Sequence, residues 1–212
     1  GYGVAQAVKR ASITVKNETI DILILSIFIN NGFHRDQLKF RSGFPRPAVI
    51  SSNGKQLFAV VPSIKNVGTK WYPKEKNTLL MNIKNNFMIG FRIINALKIE
   101  TSGMMRSEKH PQAATLDEIV NFALNEFEKI NVSNKFIVLQ YSISDMLEIS
   151  NEVHNFKKKI INFSKQNDIH IIDTYSVLKN NFLNQEEVIW HGHHTAYGNK
   201  LVCNEIIKDI TN

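Results

Sequence analysis

The architecture of this protein follows from one segment, Thr19-Ile20-Asp21-Ile22-Leu23-Ile24-Leu25-Ser26-Ile27-Phe28-Ile29-Asn30. Its nearly continuous apolar run, rich in β-branched residues, is typical of a strand that is buried on both faces of a parallel sheet. The run ends at Asn30-Asn31-Gly32, which favours a turn. Because ligands bind at the carboxyl ends of the strands in such sheets, Asn30 is a candidate functional residue as well as a turn residue.

Helical and strand patterns alternate on either side of this segment. Apolar residues at helical spacing predict helices over about 4–15, 87–97, 115–130, 150–166 and 196–211, and apolar β-branched runs predict further strands over 136–141 and 169–173. Strands that alternate with helices imply right-handed parallel crossovers. We therefore predict an α/β fold, a three-layer α/β/α sandwich with a mostly parallel sheet.

Residues 38–77 interrupt this alternation. Asn53-Gly54 lies between two apolar runs, which is the strongest short-range signal for a type I′ hairpin. We predict a single domain over residues 1–212 that carries a hairpin insertion at 38–77. Aromatic and arginine side chains of the insertion either pack against the body or line a substrate groove: Phe40, Arg41, Phe44, Arg46, Trp71 and Tyr72.

Composition limits the possible partners. No apolar run approaches the roughly 18 residues of a membrane span, so we expect none in this chain. The net charge of +7 comes from scattered basic residues without interleaved aromatic side chains, so we expect no nucleic-acid partner. The single cysteine, Cys203, excludes an internal disulfide and fits a core position of the last helix.

Three of the seven histidines, His191, His193 and His194, fall within four positions before the last helix, where Thr195 is placed to cap that helix. A loop that precedes a rigid element often carries chemistry. Two of these histidines, with Asp173 or His34, could ligate Zn²⁺. The spacing matches no standard zinc motif, and we expect no metal or other cofactor.

These segments resemble the conserved blocks of the SGNH (GDSL-type) hydrolases. In that family a catalytic His is followed by N/T, P/A and then Gly, as His193 is followed by Gly198 five residues later. The family also has a strand that ends in Asn, commonly followed by Asp and then by Arg, and Asn30 and Arg35 are similar to these, with Asn31 in place of the Asp. Gly1 resembles the family's loop glycine.

The resemblance implies roles for these residues. His193 is the expected general base, and the backbone N–H of Gly1 and the side-chain amide of Asn30 are expected to donate to the oxyanion of a tetrahedral intermediate. Arg35 and His191 are possible accessory residues. His191 and Trp190 stand where the family usually has the acid of the triad, so the imidazole of His193 is expected to have a different support.

The family's first strand, which ends in Gly-Asp-Ser with the nucleophilic Ser, has no counterpart here. We expect this serine upstream of Gly1, so that the chain as given is inactive. The implied function is hydrolysis of O-acyl groups, O-acetyl above all, on a carbohydrate or similar alcohol. The alternatives are acyl transfer by the same residues, a degenerate binding module of the same fold, and a His-ligated metal hydrolase.

Overall fold

The computed structural model describes residues 2–41, 44–59, 108–190 and 193–211, with the side chains of 39–45 and 108 left out. The helices in this part of the chain are α1 (Val4–Thr14), α2 (Leu116–Glu128), α3 (Ile143–Leu147), α4 (Asn151–Gln166), α5 (Tyr175–Leu183) and α6 (Ala196–Thr211). The strands are β1 (Ile22–Phe28), β2 (Leu38–Arg41), β3 (Phe44–Pro45), β4 (Val49–Ser52), β5 (Lys55–Phe58), β6 (Glu108–Lys109), β7 (Asn134–Gln140), β8 (His170–Asp173), β9 (Ile189–Trp190) and β10 (His193–His194). His34–Gln37 form a 3₁₀ turn.

The chain divides into two compact units. The first combines Gly1–Asp36 with Thr115–Asn212, and the second is Gln37–Ala114. All residues of the candidate site described below belong to the first unit.

The first unit contains a three-stranded parallel sheet in the order β1-β7-β8. Its central strand, β7, contributes Ile137, Val138 and Leu139, which are fully buried. β1 and β7 pair over their whole lengths, from Ile22 opposite Asn134 to Phe28 opposite Gln140. The parallel strands and the helices between them confirm the predicted α/β class.

β1 departs from the prediction that it is buried on both faces. Leu25 and Ile27 are buried, whereas Ile22 and Ile24 on the opposite face are 41% and 40% exposed. The prediction was wrong because β1 is an edge strand: among the described strands only β7 pairs with it. A central strand is covered on both faces, and an apolar run by itself does not distinguish the two positions.

The helices of the first unit pack as their apolar patterns predict. α1 packs against α2, and α2 against α4. The predicted capping box of α2 is confirmed, since the Thr115 hydroxyl accepts from the Glu118 N–H at 3.2 Å and the Glu118 carboxylate accepts from the Thr115 N–H at 2.8 Å. The buried apolar residues of α2 and α4 form the core on this side: Ile119, Val120, Ala123, Leu124, Phe127, Val153, Phe156 and Ile160.

The last helix is less buried than its sequence suggested. In α6 Val202 is buried, but Cys203 is exposed and Ile207 is 60% exposed. The predicted core position of Cys203 is therefore wrong. Apolar residues occupy more than one side of α6, and its contacts with α5, β8 and β10 cover only part of this surface.

The second unit contains the predicted hairpin. β4 and β5 pair antiparallel from Val49 opposite Phe58 to Ser52 opposite Lys55. Asn53 and Gly54 have φ angles of 50° and 73°, both positive as a type I′ turn requires. The predicted helix over 87–97, with Trp71 and Tyr72, lies outside the described residues, as do the side chains of Phe40, Arg41 and Phe44.

In the part of the chain that is described, no helix combines the length and the apolar character that crossing a bilayer requires.

Candidate functional site

Three loops meet at the carboxyl ends of β1 and β7. The loop after β1 joins the end of β7, because the Ile29 N–H donates to the Gln140 carbonyl at 3.0 Å. The hairpin that carries the histidines reaches the same edge, since His194 Nε2 lies 3.3 Å from the carbonyl oxygen of Tyr141. The His194 ring also lies 6.3 Å from that of Phe28, the last residue of β1.

A cleft of about 230 Å³ opens where these loops meet. It brings together His193 and Arg35, two of the residues that the sequence singled out. Its lining residues are Phe28, Arg35, Gln140, His193, His194 and Asn199. Asn30 lies two residues after Phe28 at the same sheet edge, whereas Gly1 and His191 are outside the described residues.

The histidine loop is held by the start of α6. β9 and β10 pair antiparallel, with His193 opposite Trp190 and His194 opposite Ile189. Thr195 caps α6 as predicted, because its hydroxyl accepts from the Gly198 N–H at 3.0 Å. A Cβ atom at Gly198 would lie 2.0 Å from the Val188 carbonyl oxygen. The glycine at position 198 therefore has a packing role. Any larger residue would prevent the start of α6 from approaching the backbone of Val188, which precedes β9.

The two described histidines of this loop have different environments. His193 is exposed, whereas His194 is about half buried. Burial lowers the pKa of His194, and the Tyr141 carbonyl opposes this effect. A neutral His194 that donates to this carbonyl is a fixed part of the cleft lining. Of these two histidines, His193 is the one that is open to solvent.

Asn30 belongs to a hydrogen-bonded cluster with three residues that follow β7. Its amide nitrogen lies 3.2 Å from Asp145 Oδ1 and 3.4 Å from Ser144 Oγ. Asp145 is fully buried, and its Oδ2 accepts from the backbone N–H and the hydroxyl of Ser142, each at 2.7 Å. Sequence reasoning missed Asp145, although the Ser-x-x-Asp spacing before an apolar residue is a capping-box signal.

Asp36 anchors the start of α1. Its buried carboxylate accepts from the backbone N–H groups of Ala5 at 2.9 Å and Gln6 at 3.1 Å, at the start of α1. A Cβ atom at Gly3 would lie 2.1 Å from Asp36 Oδ1, so a larger residue there would have to displace this carboxylate. Asp36 lies next to Arg35 in the 3₁₀ turn. Its carboxylate thereby joins this turn to the start of α1. Sequence reasoning missed this contact because it joins positions about thirty residues apart.

The residues considered as additional metal ligands have other partners. Asp173 accepts from Lys157 at 2.6 Å and from the Tyr141 hydroxyl at 2.8 Å, and His34 lies 2.9 Å from a carboxylate oxygen of Glu152. Burial, followed by the charge of Asp173, raises the pKa of Tyr141, so this phenol stays protonated. No group of three or more His, Cys, Asp or Glu side chains with metal-binding geometry occurs among the residues that the structure describes.

Comparison with known proteins yields no match to a family model, a curated protein or a solved structure. The function is therefore proposed from the sequence resemblance together with the geometry of this site.

Proposed function

We propose that this chain is part of an SGNH-type serine ester hydrolase that removes O-acyl groups, preferably O-acetyl groups, from a carbohydrate or a similar alcohol. His193 is the general base, Asn30 and Gly1 donate to the oxyanion, and Arg35 and His191 are accessory residues. The nucleophilic serine is supplied by residues before Gly1.

The observation that supports this proposal most directly is the meeting of distant segments at one sheet edge. His193 and Arg35 line the same cleft, although about 160 residues separate them in the sequence. Asn30 follows the strand whose last residue, Phe28, lines that cleft as well. A general base, a neutral amide donor and a cation near one small cleft fit acyl transfer, in which negative charge develops on a carbonyl oxygen.

The proposed chemistry has two stages. His193 removes the proton from the serine hydroxyl while the serine oxygen bonds to the ester carbon, and the carbonyl electron pair moves to the oxygen that Asn30 and Gly1 stabilise. This intermediate collapses, the alcohol leaves with the proton from His193, and an acyl-enzyme remains. Water then attacks the acyl-enzyme by the same sequence of steps and releases the carboxylic acid and the serine.

Two features of β1 are consistent with a further strand beside it. Its outer edge has no partner among the described strands, and its Ile22 and Ile24 are partly exposed. In the loop that follows, Asn31 Oδ1 is buried and has no hydrogen-bond partner among the residues that the structure describes. A strand added at this edge would pair with the backbone of β1 and bring its carboxyl end, with the serine, towards the cleft.

The finer fold assignment belongs to the same proposal. Lys157 of α4 pairs with Asp173, and Asp209 of α6 lies 3.1 Å from His170 Nε2. His170 and Asp173 are three positions apart in β8, so their side chains lie on opposite faces. Helices on both faces of β8 support a three-layer α/β/α sandwich.

One observation favours the alternative of a binding module with this fold. The described lining of the cleft contains neither a serine nor a carboxylate. A ligand-binding protein needs no nucleophile and no acid to support His193, so this composition suits it as well.

Hydrolysis of a chromogenic acetate ester tests the proposal, using the protein extended by the residues that its gene encodes before Gly1. His193→Ala should lower kcat/KM by about 10²–10⁴-fold, because the general base is lost. His154→Ala, a change at an exposed histidine of α4, is the matched control and should leave the rate unchanged.

Two other results would assign the chain differently. Activity that chelators abolish and zinc restores would indicate a metal hydrolase. An extended protein that carries a serine in the added segment but hydrolyses no ester would indicate the binding module.

A further inference from the structure

Asp145 is a buried carboxylate beside Asn30 that the proposed chemistry does not yet use. It is 1% exposed, and its described hydrogen bonds come from the Ser142 backbone, the Ser142 hydroxyl and the Asn30 amide. It therefore links the loop after β1 to the loop after β7, across 115 positions of sequence.

The chemistry of a carboxylate determines which way the Asn30 amide points. A carboxylate only accepts hydrogen bonds, whereas an amide presents an NH₂ group on one side and a carbonyl oxygen on the other. The NH₂ group of Asn30 must therefore face Asp145, because the reversed amide would place two acceptor oxygens together.

The two N–H bonds of Asn30 differ in strength. The contact with buried Asp145 is 3.2 Å long, whereas the contact with exposed Ser144 is 3.4 Å, beyond the usual 2.7–3.2 Å for N–H···O bonds. The hydrogen directed at Ser144 is therefore the more readily released of the two. It is the one that an oxyanion at the sheet edge can take.

We propose that Asp145 is a positioning residue, whose carboxylate fixes the Asn30 amide so that an N–H faces the oxyanion. The inference rests on the proposed esterase function. Asp145 itself touches no reacting atom and acts through Asn30.

Asp145→Asn is the test variant, studied in the extended protein. The new amide retains one acceptor oxygen for Ser142 and presents its NH₂ group to Asn30, which favours reversal of the Asn30 amide. The carbonyl oxygen of Asn30 then faces the developing charge. We expect kcat to fall by about 10²–10³-fold, as when an oxyanion donor is removed, while KM changes little.

Ser142→Ala is the matched control. It removes one hydrogen bond to the same carboxylate and the 2.7 Å hydrogen bond between the Ser142 and Ser144 hydroxyls, and it leaves the contact between Asp145 and Asn30 in place. If Asp145 acts only by stabilising the loop, both variants should lower the free energy of unfolding. Neither should then lower kcat while leaving KM unchanged.

The side-chain NMR resonances of Asn30 supply a readout that does not depend on activity. Asp145→Asn should shift the amide ¹⁵N and ¹H resonances of Asn30, and Ser142→Ala should leave them nearly unchanged. An active enzyme in which Asp145→Asn preserves kcat would overturn the inference. If the unmodified extended protein hydrolyses no ester, the proposed function fails. Independently of activity, Asn30 resonances that stay unchanged in Asp145→Asn would reject the positioning contact.

Discussion

At the scale of single residues, neighbouring histidines have different environments. His193 is open to solvent, whereas His194 is half buried and faces the Tyr141 carbonyl. The sequence identified the group of histidines but could not assign their environments, because burial depends on β7, which lies about fifty residues earlier. The contacts of Asp36 with α1 and of Asp145 with Asn30 were missed for the same reason, because each joins distant segments.

The lowered pKa of His194 predicts a pH dependence of stability. An unfolded histidine has a pKa of about 6.5, and the folded value lies below this. In the interval between them the unfolded chain binds a proton that the folded chain does not, so the free energy of unfolding should fall as the pH is lowered through about 6.5. Denaturant titrations between neutral and mildly acidic pH measure this slope.

His194→Gln should flatten the dependence, whereas His154→Gln, at an exposed position of α4, should preserve it. An equal slope in the native protein and in the His194→Gln variant would contradict the assignment of this effect to His194.

At the scale of elements, the first helix depends on a residue that lies outside it. The first turn of an isolated helix has N–H groups without partners, and in α1 two of them donate to the buried Asp36 carboxylate. The negative charge also interacts favourably with the amino-terminal end of the helix dipole. α1 and the 3₁₀ turn that contains Arg35 are therefore joined by one side chain.

Asp36→Asn should lower the free energy of unfolding by about 1–3 kcal/mol, because hydrogen bonds to a charged acceptor are replaced by weaker ones. Asp117→Asn is the matched control, since Asp117 lies in the first turn of α2 and its side chain is 67% exposed. It should cost less than about 1 kcal/mol, as is usual for surface charges. Chemical denaturation of both variants provides the comparison, and similar losses in the two would show that Asp36 has no special role.

At the scale of the whole molecule, β1 gives the sheet an exposed apolar edge. Its outer edge is unpaired among the described strands, and one face exposes Ile22 and Ile24. Exposed apolar edge strands promote association with other chains. The proposed additional strand would pair with this outer edge.

The chain from Gly1 to Asn212 should therefore associate through β1. Ile24→Lys should shift the protein towards monomer in sedimentation velocity measured over a range of concentrations, because a charged side chain on an edge strand opposes pairing. Ile13→Lys is the matched control, since Ile13 is 53% exposed on α1, and it should leave association unchanged. Equal effects of the two substitutions would argue against association through β1.

The sequence by itself determined the features that depend on local spacing. Periodicity located α1, α2, α4, β1, β7 and β8, and short-range chemistry located the Thr115 and Thr195 caps and the Asn53-Gly54 turn. Each of these depends on residues within one or two turns of chain. The tertiary structure alone decided that β1 has only β7 as a partner among the described strands, that Cys203 is exposed, and that Asp145 and Asp36 hold the loops around the cleft. Burial and long-range hydrogen bonds are properties of segments packed together, and one segment does not encode which neighbour it will meet.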